Sequence, residues 1–245
     1  MLWLIFFTYA IALTLALAVR GARVGASAGA ATPASVRRVL IVGATGGTGR
    51  ELVAQALERG YEVTALARNP AALAVEHPRL TVLRGDVLDP ASLEAAVRGQ
   101  DAVLSALGHK QFWRPTRIQS LGTANLLAAM AKHGVQRFLC ETTLGLGDAA
   151  GRGGLQFTFF LAPVILPFYL WDKARQERIV AASTADWTLI RPGMLTNGKR
   201  RGRYRHGSVG NYVWGGWIAR ADVADFMLQQ LESGEYLRRA PGLCY

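Results

Sequence analysis

Gly43-Ala-Thr-Gly46-Gly-Thr-Gly49 stands between two segments of different periodicity, and it constrains the fold of this chain more than any other feature. Before it runs a short apolar stretch, Val39-Leu40-Ile41-Val42, with the character of a buried strand; after it, Glu51 to Arg59 repeats apolar residues at helical spacing. A strand that passes through glycines into a helix opens a βαβ unit. Gly43 lets the chain turn sharply off the strand, Gly46 lets backbone approach a pyrophosphate, and Gly49 lets the helix pack closely on the strand. Thr45, Gly47 and Thr48 complete the cradle, and the helix N-terminus faces the phosphates and stabilises their charge.

The rest of the chain repeats the alternation. Helices are expected near Ala91 to Arg98, Arg117 to Lys132, Lys173 to Ala182 and Ala221 to Leu231, with strands near Thr81, Ala102, Phe138 and Thr188. That order implies an α/β fold with a doubly wound parallel sheet. Residues 37–245 suit one such domain better than two, and no internal repeat is visible.

The second strand, Tyr61 to Ala67, leads into Arg68-Asn69-Pro70. An NAD-specific fold puts an acid here to hold the ribose hydroxyl, whereas arginine favours a 2′-phosphate and therefore NADP(H). Arg50, directly after the third glycine, could supply a second guanidinium fork to the same phosphate, or be a solvated residue of the first helical turn.

To these segments the chain adds Gly85-Asp86-Val87-Leu88-Asp89, Asp101-Ala-Val-Leu-Ser105-Ala-Leu-Gly108, Arg191-Pro192-Gly193 and Ala219-Arg220-Ala-Asp222-Val-Ala-Asp225. With them it resembles the atypical short-chain dehydrogenase/reductases, in particular the NmrA-like and biliverdin/flavin-reductase-like NAD(P)-binding proteins, over about Val39 to Ser233. The resemblance implies a Rossmann fold and places Asp86 and Val87 at the adenine, Asp86 being open also to a turn-capping role. Ser105, Leu107 and Gly108 end the fourth strand beside the crevice where the strand order reverses. The loop Arg191 to Gly198 borders the nicotinamide and substrate in such relatives.

For chemistry, Thr142 and Thr143 close the fifth strand, where many members of the wider superfamily carry a catalytic hydroxyl. Tyr169-Leu-Trp-Asp-Lys173 has the spacing that sets phenol and ammonium one helical turn apart on one face. A tyrosine titrating near 10 becomes a usable proton donor or acceptor when a cation favours its phenolate. Relatives of the atypical type often keep the lysine and lose the tyrosine, so Lys173 is also expected as a ligand at the ribose or nicotinamide side.

Leu2 to Val19 is uncharged and long enough to cross a bilayer as a helix. No Lys or Arg precedes it, while Arg20, Arg23, Arg37 and Arg38 follow, so a retained transmembrane anchor over residues 1–20 would leave the domain on the cytoplasmic side. The alternatives are a cleaved signal peptide, with small residues at Ala26-Ser27-Ala28 and export of the domain, or a misassigned start. Residues 21–36, rich in Ala, Gly and Ser, read as a flexible linker. A second apolar segment, Gly154 to Trp171, contains Pro163 and Pro167 and makes a poor spanning helix. It is expected to lid the substrate pocket, to dip into the leaflet that receives the anchor, or to be an ordinary buried helix or dimer surface.

The net charge of +11 is mostly scattered arginine; only Lys199 to Arg205 is a tight cluster, read as a solvated or lipid-facing loop. No nucleic-acid reader motif accompanies it. Cys140 and Cys244 do not form a disulfide framework, and the four histidines lack metal-ligand spacing, so no metal is expected. The function these residues favour is NADPH-dependent oxidoreduction of a small or lipophilic carbonyl, quinone or flavin-like acceptor, with a homodimer open. A non-catalytic NADP(H) sensor or assembly factor and a nucleotide-using epimerase are the alternatives.

Overall fold

The computed structural model describes residues 2–22, 35–109 and 111–245. β1 (Arg38–Val42), four of its five residues buried, sits inside the sheet and pairs in parallel on both edges. On one side lie β2 (Glu62–Ala67) and β3 (Leu80–Arg84); the connection from β1 is α2 (Gly47–Glu58). The chain then returns through α3 (Pro90–Val97), capped by the Asp89 side chain on Ala91 N, to β4 (Ala102–Ser105) on the other side of β1. α4 (Ile118–His133), β5 (Arg137–Glu141), α5 (Pro167–Ala181) and β6 (Asp186–Pro192) extend that half. Val42 stands beside Leu66 and Ser105, and Ser105 beside Cys140, so the strand ends are level where the order reverses between β1 and β4. An open α/β sheet binds its ligand at that point.

α2 and α6 (Arg220–Ser233) cover one face of the sheet through Leu52, Val53, Phe226 and Leu228. α3, α4 and α5 cover the other through Leu93, Leu126, Met130 and Val180. β4 and β5 are buried on both faces, as helices on each side require, and Cys140 and Cys244 are buried free thiols.

The expected elements form, with differences at the C-terminal end. Beyond β6 the sheet gains β10 (Gly242–Cys244), parallel to β6, and β8 (Arg205–Gly207), antiparallel to β10. β7 (Met194–Thr196) and β9 (Trp217–Ala219) form a separate parallel pair. Each of these four strands has three residues, too few to carry a period. α5 begins at Pro167, six residues before Lys173, and so includes Tyr169. The basic cluster is neither free nor merely solvated: Arg201 N and Gly202 N donate to Asp222 Oδ1, Tyr204 Oη to Asp225 Oδ2, and the Arg201 guanidinium lies over the Tyr245 ring.

α1 (Leu2–Arg20) does not stand apart from the domain. Ala10, Leu13 and Leu17 are buried, the two leucines in one cluster with Leu146, Ala162, Leu170 and Ala174. Ala162 belongs to a π-helix, Phe157–Ile165, that contains Pro163 and packs along α1, with Phe7 and Phe159 in edge contact at 5.4 Å. Gly21 and Ala22, expected to begin the linker, are buried; a Cβ on Gly21 would lie 2.1 Å from Gly147 N. Residues 23–34, including Ala26-Ser27-Ala28, lie outside the described residues.

Candidate active-site cleft

A cleft of about 480 Å³ runs along the carboxyl ends of β1 to β5, where the sheet's switch point predicts a ligand. Its floor is the glycine loop. Gly43 has φ +80°, and a Cβ there would lie 2.5 Å from Ala106 O, so only glycine turns off β1 without colliding with the end of β4. Gly49 does not line the cleft; a Cβ on it would lie 2.1 Å from Gly43 O, which is the helix-to-strand packing role. Gly46 is the N-cap of α2, so the first turn of that helix, with Gly47 and Thr48, faces the cleft. The chain can seat a pyrophosphate here on backbone amides.

At one end, Arg68 lies exposed on the wall with Ala67, and makes no ion pair or hydrogen bond among the described residues. Arg50 is elsewhere: its Nε donates to Thr45 O at 3.1 Å and its Nη2 to Ala72 O at 2.6 Å, bracing the glycine loop against the turn after Arg68. It does not line the cleft, so the expected second cation is a strut. Asp86 and Val87 line the same end as Arg68; one Asp86 oxygen accepts from Leu88 N at 3.0 Å, which leaves the other for a ligand amino group. Ser105 lies fully buried behind the wall, its hydroxyl without a hydrogen-bond partner among the described residues, while Leu107 and Gly108 line the cleft itself.

Tyr169 and Lys173 of α5 form the opposite end. The Lys173 ammonium is buried and donates to Leu107 O at 3.0 Å and Glu141 O at 2.8 Å, tying α5 to the ends of β4 and β5. An ammonium has three donors, so one N–H is left for the cleft. α5 is held at this height by Asp172, which accepts from Gln119 N, Ser120 N and Ser120 Oγ at the first turn of α4. The Tyr169 ring sits edge-on to His109 at 5.1 Å and Phe112 at 5.7 Å, and its hydroxyl lies 3.6 Å from where a Gly108 Cβ would be. His109 Nδ1 accepts from Gln111 N, which assigns a ring proton to Nε2, 2.9 Å from Thr116 Oγ1; burial lowers its pKa from the ordinary histidine value.

The threonines differ from expectation. Thr142 lines the cleft, but its hydroxyl donates to Glu177 Oε1 at 2.8 Å; Thr143 does not line it and donates to Leu144 O. Of the segment from Gly154 to Trp171, Tyr169 lines the cleft, while Phe157, Ala162, Leu166, Leu170 and Trp171 pack in the cluster with α1. From the loop after β6 only Leu195 reaches the wall.

Two charged residues of the cleft escaped the sequence reading. Glu141 is buried beneath the glycine loop, accepting from Thr48 Oγ1 at 3.0 Å; burial raises its pKa against the opposing pull of Lys173, Thr48 and Arg220. Arg220 begins α6 and lies against Gly47, where a Cβ would be 2.5 Å from its Cδ; Nη1 is fixed by Asn197 Oδ1 at 2.6 Å. The Ala219 to Asp225 motif contained Arg220, but only the third dimension brings it to the phosphate cradle.

The family described as NAD(P)H-binding matches residues 43–234. An uncharacterized chloroplastic protein of Arabidopsis thaliana is 31% identical over 169 residues, which cover 66% of this chain and 60% of that protein. A 3 beta-hydroxysteroid dehydrogenase/Delta 5→4-isomerase of Mycobacterium tuberculosis is 36% identical over 172 residues, covering 65% of this chain and 45% of that protein. The chain thus spans less than two thirds of the length of both relatives. Among solved structures, a wide-type short-chain dehydrogenase/reductase of Veillonella parvula in complex with NADP has a TM-score of 0.72 at 18% identity, over 86% of this chain and 95% of that one; the likeness is one of fold.

Proposed function

The chain belongs to the NAD(P)H-binding Rossmann family, of the atypical short-chain dehydrogenase/reductase type, and from that premise we propose that it is an NADPH-dependent oxidoreductase acting on a lipophilic carbonyl, quinone or flavin-like acceptor. The observation that carries the proposal is the layout of the cleft: the uncommitted cation Arg68 at one end, the glycine loop as floor, and the Tyr169–Lys173 pair at the other. A dinucleotide lying along it with its 2′-phosphate at Arg68 would have its reactive ring beside Tyr169. Reduced nicotinamide bound there supplies hydride. Arg220 and the first turn of α2 balance pyrophosphate charge. The free N–H of Lys173 orients a ribose hydroxyl, and Tyr169 Oη, without a partner among the described residues, gives a proton to the reduced acceptor. The aromatic walls His109, Phe112 and Tyr169 favour a flat apolar acceptor, and the mycobacterial relative is named for a steroid.

One observation favours the sensor reading: the Thr142 hydroxyl is engaged by Glu177, so no free hydroxyl accompanies Tyr169 on the β5 side. The experiment is to purify the full chain in detergent, measure NADPH and NADH affinities, and follow NADPH oxidation against quinones, flavins and ketosteroids. Turnover with at least one class, and tighter NADPH than NADH, is expected. Tight NADPH binding with no turnover across the panel replaces the enzyme by a sensor, and tighter NADH removes the role given to Arg68.

For location, the reading is a retained membrane anchor with the domain on the cytoplasmic face. Support comes from Ala22, whose amide donates to Glu177 Oε2 at 3.2 Å and whose carbonyl accepts from Arg191 Nη2 at 3.1 Å, inside the domain. A leader cut after Ala28 would take both groups away. The intact mass of the mature protein tests this: a mass lacking residues 1–28 overturns it.

A further inference from the structure

We infer that α1 lies on the bilayer with the domain rather than crossing it alone, and that α1, the π-helix and the loop 212–217 form one lipid-embedded face. The inference rests on the retained-anchor reading and adds the geometry. The exposed apolar side chains come from three distant segments: Trp3, Leu4, Phe7 and Ile11 on α1; Leu155 and Phe160 at the π-helix; Tyr212, Val213 and Trp214 in the loop. Trp214 is 84% exposed, which for a tryptophan in water is wasteful.

These segments are joined. Phe7 meets Phe159 at 5.4 Å, Leu155 N donates to Val213 O at 2.9 Å, and a Cβ on Gly154 would lie 2.5 Å from Gly215 N. The result is one surface rather than three scattered patches.

The occupant is a lipid leaflet. The exposed side of α1 carries no charge from Trp3 to Val19. Its two threonine hydroxyls are satisfied by their own helix, Thr8 on Leu4 O at 2.8 Å and Thr14 on Ala10 O at 2.9 Å, as hydrocarbon demands. Tryptophan and tyrosine in the loop suit the headgroup level, and a chain of net charge +11 is drawn to anionic lipid.

A lone crossing conflicts with the packing. α1 touches the domain from Phe7 to its last turn, where Arg20 lies over the Trp171 ring at 3.9 Å. A helix of 19 residues is about 28 Å long, barely the hydrocarbon thickness of about 30 Å. Sinking it fully would carry α5 and the buried Arg191–Glu177 pair with it. Embedded by one face, to a depth of about 5–10 Å, it buries no charged group from Trp3 to Val19. Tyr169 packs against the cluster that contains Leu13 and Leu17, so α1 lies directly behind the acceptor end of the cleft.

The test is site-directed nitroxide labelling of the full chain at Leu4→Cys, Phe160→Cys, Val213→Cys and, as a control at the opposite end of the sheet, Glu62→Cys. Accessibility to oxygen and to a water-soluble nickel chelate is read before and after adding vesicles of phosphatidylcholine and phosphatidylglycerol. Labels at 4, 160 and 213 are expected to lose nickel accessibility and gain oxygen accessibility together, while 62 is unchanged. The inference is overturned if 4 enters lipid while 160 and 213 stay in water. It is equally overturned if 160 and 213 are shielded before vesicles are added in a species of twice the mass, which would assign the face to a second copy. The intact mass reads the retained anchor separately.

Discussion

Arg191 and Glu177 meet in a two-pronged ion pair with neither side chain exposed, Nε to Oε1 at 2.8 Å and Nη2 to Oε2 at 2.7 Å. Burial alone would lower the Arg191 pKa, but Glu177 and Asp148 more than compensate and raise it. Glu177 also holds the Thr142 hydroxyl and the Ala22 amide, so one carboxylate joins the cleft wall to the end of α1. Removing one member strands a buried charge. Glu177→Ala is expected to cost about 3–5 kcal/mol, a fall in Tm of roughly 10 °C in a thermal melt. A variant as stable as the parent would show that the pair is not structural.

Arg68 is expected to discriminate between the two nicotinamide cofactors. Arg68→Ala removes a charge-assisted contact of about 1.5–3 kcal/mol, which is about a 10- to 100-fold weaker NADPH Kd. The NADH Kd should not move. Calorimetric titration of both cofactors reads the difference, and equal losses would point to a general electrostatic effect.

Tyr169→Phe keeps the aromatic contacts with His109 and Phe112 and removes only the hydroxyl. With the best acceptor, kcat is expected to fall about 10²- to 10⁴-fold at unchanged NADPH affinity. Full activity in the variant eliminates the phenol as proton donor.

Glu141 gives a pH dependence of definite sign. Burial raises its folded-state pKa above the ordinary glutamate value, so between the two values the folded protein holds more protons than the unfolded chain. Stability of the nucleotide-free protein therefore falls as pH rises through that window, and the penalty is complete above the folded pKa. Glu141→Gln keeps an acceptor for Thr48 without the charge. Its Tm should exceed the parent's at pH 8, and the gap should close as the pH drops below the ordinary glutamate value. A gap independent of pH would mean that packing rather than ionisation sets it.

Local signals made much of this readable from sequence. Gly43 and Gly49 are dictated by contacts to Ala106 O and Gly43 O, and a glycine motif flanked by strand and helix carries that information in seven residues. Arg68, Asp86 and Lys173 follow strand ends or a helical period, and all reach the cleft. What sequence hid were partners far apart along the chain. Arg50 sits at the right sequence distance from the cradle, yet Ala72 O and Thr45 O claim its guanidinium. Thr142 and Thr143 both lie beyond the end of β5; Thr143 does not line the cleft, and Thr142, which does, is claimed by Glu177, 35 residues later. The apolar run from Gly154 was open to use as a lid, a leaflet contact or a buried helix or dimer surface, and what sequence hid is that it packs along α1.

That packing has a consequence for how the protein is made. Ala22 and Glu177 are 155 residues apart, so at about 5–20 residues per second the ribosome needs roughly 8–30 s to deliver the partner that receives the end of α1. Through that interval α1 has no groove of its own to fill. A nascent chain that meets a membrane or a targeting factor first is protected; one that does not is exposed to aggregation, and heterologous yield should depend on which it meets.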